Sequence, residues 1–160
     1  MTGPRGRAGI RPALPDATNA DFLLQALRET NAHRERHHVP PLVMDPLLVE
    51  YAKTRAAEMS RRIGYGPVRA GTGEVAYRRE GEHLCEAAEA VAGWYAQSMA
   101  YDWNDPRACH FSQLVWKASK AMGAARVAGQ GRAHHETVIV FVFEPAGNVD
   151  GEFEENVLPQ

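Results

Sequence analysis

The chemistry-bearing residues of the chain are most concentrated in the run His110-Phe111-Ser112-Gln113-Leu114-Val115-Trp116-Lys117. An imidazole, a hydroxyl, an amide, an indole and an ammonium fall within about two helical turns. Phe111, Leu114 and Val115 take the offsets of one helical face, with Trp116 beside them, while Ser112 and Gln113 point elsewhere. The pattern predicts a short amphipathic helix entered directly after His110. An imidazole at a helix entrance faces the positive end of the dipole, which favours its neutral form. A neutral imidazole can ligate a metal or accept a proton. It can equally serve the fold, bonding the helix start and packing on Trp116.

Other candidates are weaker. His33-Arg34-Glu35-Arg36-His37 sets two imidazoles one helical turn apart. Glu35 does not directly follow His33, so this is not the order of a zinc-protease helix, and the pair reads as surface histidines. His37-His38 and His134-His135 fall in predicted connections and read as solvated. Trp94, Tyr95, Tyr101 and Trp103 could form a lipid-contacting patch. Aromatics at helical spacing belong more often to a core, which leaves Trp103, in a loop, as the interesting one.

A chain of 160 residues, 44% apolar and 24% charged, is that of one ordinary globular domain able to bury a full core without staples. The net charge of -2 gives no reason to expect nucleic acid or an anionic membrane as the main partner. Arg5, Arg7 and Arg11 make only the extreme N-terminus basic, as a solvated tail or a weak contact for anionic lipid. Two cysteines, Cys85 and Cys109, do not make a disulfide framework, and their spacing leaves open whether they meet. No apolar run is long enough for a signal peptide or a membrane span, and Thr2 stands where myristoylation needs glycine. The simplest setting is intracellular, cytoplasmic and reducing.

The elements that must position these residues follow from caps and periodicity. Residues 1–18, rich in glycine and proline, read as a disordered or loosely docked leader. A helix is predicted from Asn19 or Asp21, with Phe22, Leu23, Leu27 and Thr30 inward and Arg28, Glu29, Arg34 and Arg36 outward. Asp45-Pro46 starts a second helix, running to about Arg62 with Leu48, Tyr51, Ala52, Arg55, Ala56 and Met59 at helical spacing. A glycine-rich loop follows through the low seventies. A third helix is expected over 82–100, burying Leu84, Ala88, Val91, Tyr95 and Met99. Residues 122–128 read as a strand, 129–132 as a turn and 137–143 as a central strand. Phe153 and Val157 give the acidic tail two residues with which to dock. Helices first and strands last suggest an α+β domain whose helices cover an antiparallel sheet.

Taken together, these residues resemble a known family. The run from His110 to Ser119 resembles the signature of the CAP superfamily, the cysteine-rich secretory, antigen 5 and pathogenesis-related 1 proteins. Pro145-Ala146-Gly147-Asn148 is similar to the close of the family's second signature. Asn31-Ala32-His33-Arg34 and Val39-Pro40-Pro41-Leu42 are similar to its first helix and the segment behind it. Residues 153–159 resemble the C-terminus of the Golgi-associated branch. The resemblance covers residues 19–160 in order.

The resemblance implies a three-layer α-β-α sandwich with a central antiparallel sheet and a cleft lined by two histidines and two glutamates. Carried over position by position, His110 is the signature histidine and Glu74 the first glutamate. Gln97 stands where the second glutamate is expected, and Tyr65 where the other histidine is expected. Zinc wants about three nitrogen, sulfur or oxygen ligands. His110 and Glu74 supply two, so weak metal binding or none is expected, no catalytic residue is assigned, and no cofactor is implied. The branch resembled implies a non-enzymatic binding module, peripheral at the Golgi, whose partners are an anionic lipid or membrane surface, another protein or a second copy of the chain. The alternatives are a metal-assisted hydrolase using His110 and Glu74, and a secreted defence or reproductive protein.

Overall fold

A computed structural model describes residues 11–62 and 66–160. Helix α1 (Ala20–Arg36) starts at Asn19, whose side chain accepts from the Phe22 N–H at 2.8 Å. Helix α2 (Pro46–Ser60) starts at Asp45, which accepts from the Leu47 N–H, with Pro46 in the first turn where its missing N–H costs nothing. The remaining elements are β1 (Val43–Met44), β2 (Gly73–Gly81), α3 (Ala87–Tyr95) running into a 3-10 turn (Ala96–Ala100), α4 (His110–Leu114), β3 (Ala121–Gln130), β4 (His135–Glu144) and α5 (Phe153–Asn156).

The four strands lie in the order β1-β3-β4-β2. β4 pairs antiparallel with both β3 and β2, and the two-residue β1 pairs parallel to β3. Alternation along β4 divides the core in two. Val138, Val140 and Val142 meet Leu48, Ala52, Ala56 and Met59 of α2 on one face. Ile139, Phe141 and Phe143 meet Phe22, Val91, Trp94, Phe111 and Trp116 on the other. The result is the expected three-layer α-β-α sandwich, with α2 alone on one side and α1, α3 and α4 on the other. Gly123 lets α2 lie close on β3, since a Cβ there would lie 2.2 Å from the Leu48 carbonyl carbon.

Several expectations are corrected. The glycine-rich loop ends in strand β2, which carries Arg78, Arg79 and Glu80 on an edge and so lacks a clear apolar alternation. The helix expected over 82–100 is shorter and rotated. Ala87, Ala90, Val91 and Trp94 are buried, while Leu84 is 40% and Met99 92% exposed. Trp94 sets this rotation, its indole N–H donating to the Ala76 carbonyl at 2.9 Å. Arg34, expected outside, is fully buried. Its guanidinium donates to the carbonyls of Pro40, Leu114, Trp116 and Ser119, tying α1 to the end of α4. The expected leader is docked over its described part: Leu14 is buried, Ala17 N–H donates to Arg126 O, and Asp16 bridges Val127 beyond the end of β1. Residues 1–10 lie outside the described residues.

His37 is not solvated. It is 3% exposed, with Nδ1 donating to the Leu158 carbonyl at 2.6 Å and Nε2 accepting from the Tyr95 hydroxyl at 2.7 Å. His33 stacks on Tyr95 at 3.7 Å, and burial pushes its pKa down. With Phe153 edge-on to Trp116 and Asn156 bonded to Ala118, the C-terminal segment is docked, as its two apolar residues suggested.

Candidate functional site

His110 is placed by a set of local bonds. Cys109 caps α4, its sulfur accepting from the Ser112 N–H at 3.5 Å while Ser112 Oγ accepts from the Cys109 N–H at 3.0 Å. Ser112 Oγ lies 2.5 Å from Asn148 Oδ1, and Asn148 Nδ2 donates to the Cys109 carbonyl at 3.0 Å. Gln113 Oε1 accepts from the Gly147 N–H at 2.9 Å. A Cβ at Gly73 would sit 2.0 Å from that oxygen, so only glycine lets the start of β2 pass Gln113. Thus Ser112 and Gln113 serve to join the helix to the 145–148 loop, and neither is free for chemistry.

The backbone N–H of His110 donates to Gln97 Oε1 at 2.7 Å. That bond orients the amide and turns Gln97 Nε2 toward the ring, 3.4 Å from Nδ1. An amide nitrogen only donates, so Nδ1 is the acceptor and the ring proton sits on Nε2. The imidazole is edge-on to Trp94, with centroids 6.3 Å apart, and burial holds its pKa below the ordinary histidine value. His110 is therefore a neutral imidazole. Beside it a depression of about 270 Å³ is lined by Gln97, Tyr101, Asp102, Arg107 and Cys109, among others.

Of the four residues expected to share a cleft, the structure brings together His110 and Gln97. Tyr65 lies outside the described residues. Glu74 is on the other face of the sheet. Its register partner is Val142, which packs on α2, and its carboxylate accepts from Nε and Nη2 of Arg55 at 3.0 to 3.1 Å. Val75, the next residue, is the one that enters the core shared with Trp94 and Phe111. The shared cavity expected for Glu74 and His110 is thereby corrected, because strand parity sends the carboxylate to α2. Among the described residues no three histidine, cysteine, aspartate or glutamate side chains converge as a metal-ligand set.

Arg55 is the partner that sequence reasoning missed. Its signal was a cation at a core-facing offset of α2, beside Ala52 and Ala56, which requires a buried counter-charge. The exposure of Met99 was missed too: expected in the core, it is 92% exposed on the 3-10 turn, while Trp103, singled out from the sequence, is 47% exposed on the loop that follows. Cys85 and Cys109 are both free thiols.

Comparison with known proteins agrees with the architecture and with the residues that carry it. The family model of the cysteine-rich secretory protein family, CAP, matches residues 27–143. Human Golgi-associated plant pathogenesis-related protein 1 is 29% identical over 157 residues, covering 89% of this chain and 96% of that protein. Secreted protein PRY1 of Candida albicans is 27% identical over 148 residues, covering 90% of this chain and 34% of that protein. The crystal structure of hookworm platelet inhibitor superimposes with a TM-score of 0.69 at 18% identity, covering 89% of this chain and 78% of that one. The joined signature helix and 145–148 loop, the three layers and these matches have one reading: the chain belongs to the cysteine-rich secretory protein, or CAP, family.

Proposed function

We propose that the chain is a non-enzymatic binding module of the Golgi-associated type, which docks peripherally on a lipid surface through the Met99–Trp103 stretch beside the depression at Gln97. The observation that carries this reading is the exposure of two large apolar side chains, Met99 and Trp103, which bracket in sequence the 100–102 stretch that lines the depression. Isolated exposed apolar residues are ordinary, but two within five residues of chain, on a turn and the loop that follows it, offer side chains that can enter a membrane interface. The likeness to a protein named for Golgi association supports the same reading. No helix among the described residues is long and apolar enough to cross a membrane.

A binding role also fits the polar groups present. General acid–base hydrolysis needs two titratable groups of separated pKa at one bond. His110 has an amide beside it, and Glu74 is committed to Arg55. The reading requires no metal or cofactor.

Flotation with phosphatidylcholine vesicles, with and without anionic lipid at low salt, tests the proposal. The full chain should rise with the vesicles, and Met99→Asp/Trp103→Asp should remain behind while its circular dichroism is unchanged. No flotation at low salt overturns the lipid reading and leaves a protein partner or a second copy. Turnover of peptide or ester substrates that is lost in His110→Ala overturns the non-enzymatic one.

A further inference from the structure

A second cavity, of about 350 Å³, opens between the 101–109 loop and the C-terminal segment, sharing Tyr101 with the depression beside Gln97. Its size is within the range of small-ligand sites, about 300 to 1,000 Å³. Tyr101 and Trp103 stand as adjacent walls of a corner, with ring centroids 4.8 Å apart and planes at 76°. Both rings are held edge-wise against Phe111, at 5.3 and 6.4 Å. Pro106, Val157 and Pro159 continue the apolar lining, and Glu154 brings a carboxylate to it. Among the described residues the Glu154 side chain has neither an ion pair nor a hydrogen bond.

Aromatic faces attract cations, and an uncommitted carboxylate beside them adds to that attraction. Tyr101, Trp103, Pro106, Phe153, Val157 and Pro159 present mainly carbon to the cavity, and its polar side chains are those of Glu154 and Asn104. A primary ammonium carries three N–H donors that would have to leave water for such a site. A quaternary ammonium has no N–H group and presents methyls to the rings, so it gains the charge interaction without orphaned donors. We propose that this cavity binds a quaternary ammonium group of the choline type, either free or as a lipid headgroup. Tyr101 and Trp103 form the aromatic corner and Glu154 the counter-charge. The proposal goes beyond the lipid-docking reading and does not rest on it.

Tetramethylammonium is the probe, and the NMR shift of its methyl protons is the readout, because protons held over ring faces move upfield whereas pairing with a carboxylate alone leaves them in place. The full chain should give a saturable upfield shift. The uncharged isostere of choline, 3,3-dimethylbutanol, should give none. Trp103→Leu should weaken binding about tenfold, and Glu154→Gln about threefold. Trp103→Tyr, which keeps an aromatic face, should bind near wild type and covers the case in which the leucine variant fails to fold. Vesicle competition separates the sources. Phosphatidylcholine flotation displaced by tetramethylammonium assigns the headgroup; saturation without flotation assigns the free cation. The proposal is overturned if the wild-type chain shows no saturable shift, if the uncharged isostere binds equally well, or if folded Trp103→Leu binds unchanged.

Discussion

Arg55 and Glu74 meet on the α2 side of the sheet as a bidentate pair, with both side chains less than one-tenth exposed. The third Arg55 nitrogen, Nη1, donates to the Gly66 carbonyl at 2.7 Å. The guanidinium therefore closes the connection between α2 and β2, and Glu74 balances it. This pairing gives the glutamate a structural task that its sequence position alone does not reveal.

Removing one partner of a buried pair strands the other charge, at a cost of about 3–5 kcal/mol. Glu74→Ala and Arg55→Ala should each lose stability on that scale in urea unfolding. The double variant Arg55→Met/Glu74→Leu, which leaves no unpaired charge, should recover much of it. Vesicle binding should survive in every variant that folds, since the pair does not border the depression at Gln97. Lost binding by the stable double variant would show that the carboxylate serves the site.

Arg34 makes the same point with neutral partners. Four carbonyls surround its guanidinium, and desolvation lowers its pKa to about 10. The planar fork reaches the Pro40 carbonyl and three carbonyls within the 110–119 segment at once, a geometry that an ammonium cannot copy. Arg34→Lys should cost on the order of 3 kcal/mol, because buried acceptors are left unpaired. Hydrogen exchange would show that loss concentrated at 114–119.

These two arginines mark where the sequence is legible and where it is not. Asp45-Pro46, Asn19, the 110–116 apolar face and the β-rich run of β4 each declare their structure locally, through a cap or a period. A buried arginine does not, since its burial depends on partners far along the chain, such as Leu114 for Arg34 and Glu74 for Arg55. Arg34 sits near the inner face of α1 by spacing, yet its charge argues for water. Strand β2 hides its parity in the same way. In Gly-Glu-Val-Ala-Tyr-Arg-Arg-Glu-Gly, neither alternate set is clearly apolar, so the face on which Glu74 lies is decided by pairing with β4. His110 was legible from its helix entrance, whereas Gln97 was set beside it only by the family pattern, since the 101–109 loop between them carries no period.

Glu136 supplies a pH test of the docked N-terminal segment. Its buried carboxylate accepts from Nη1 and Nη2 of Arg11 at 2.8 Å each and from Arg62 at 2.9 Å, bonds that hold its pKa at about 2 against the opposing effect of burial. A depressed carboxylate pKa stabilises the fold fully above the unfolded value of about 4.3. That stability is lost as pH falls through about 2. Arg11→Ala should raise the folded-state pKa, lower stability at neutral pH and flatten its decline between pH 5 and 2. Urea titrations across that range should show the two proteins converging at the acid end; parallel curves would mean that Arg11 does not hold Glu136.

Gln97 offers the most direct control of His110. The wild-type imidazole has a lowered pKa caused by burial, so its contribution to stability is present above the unfolded value of about 6.5 and is lost as pH falls through the lower folded value. Gln97→Glu keeps an oxygen to accept the His110 N–H and replaces the amide donor at Nδ1 with a carboxylate oxygen. The neighbouring negative charge should raise the His110 pKa by about one unit or more. Once the folded value exceeds the unfolded one, the sign of the linkage reverses, and the pair stabilises the fold below pH 6.5 and fades above the new pKa. NMR titration of the His110 ring protons reads the shift directly, with Gln97→Leu as the uncharged control. An unmoved His110 titration in Gln97→Glu would mean that the two side chains do not meet in solution.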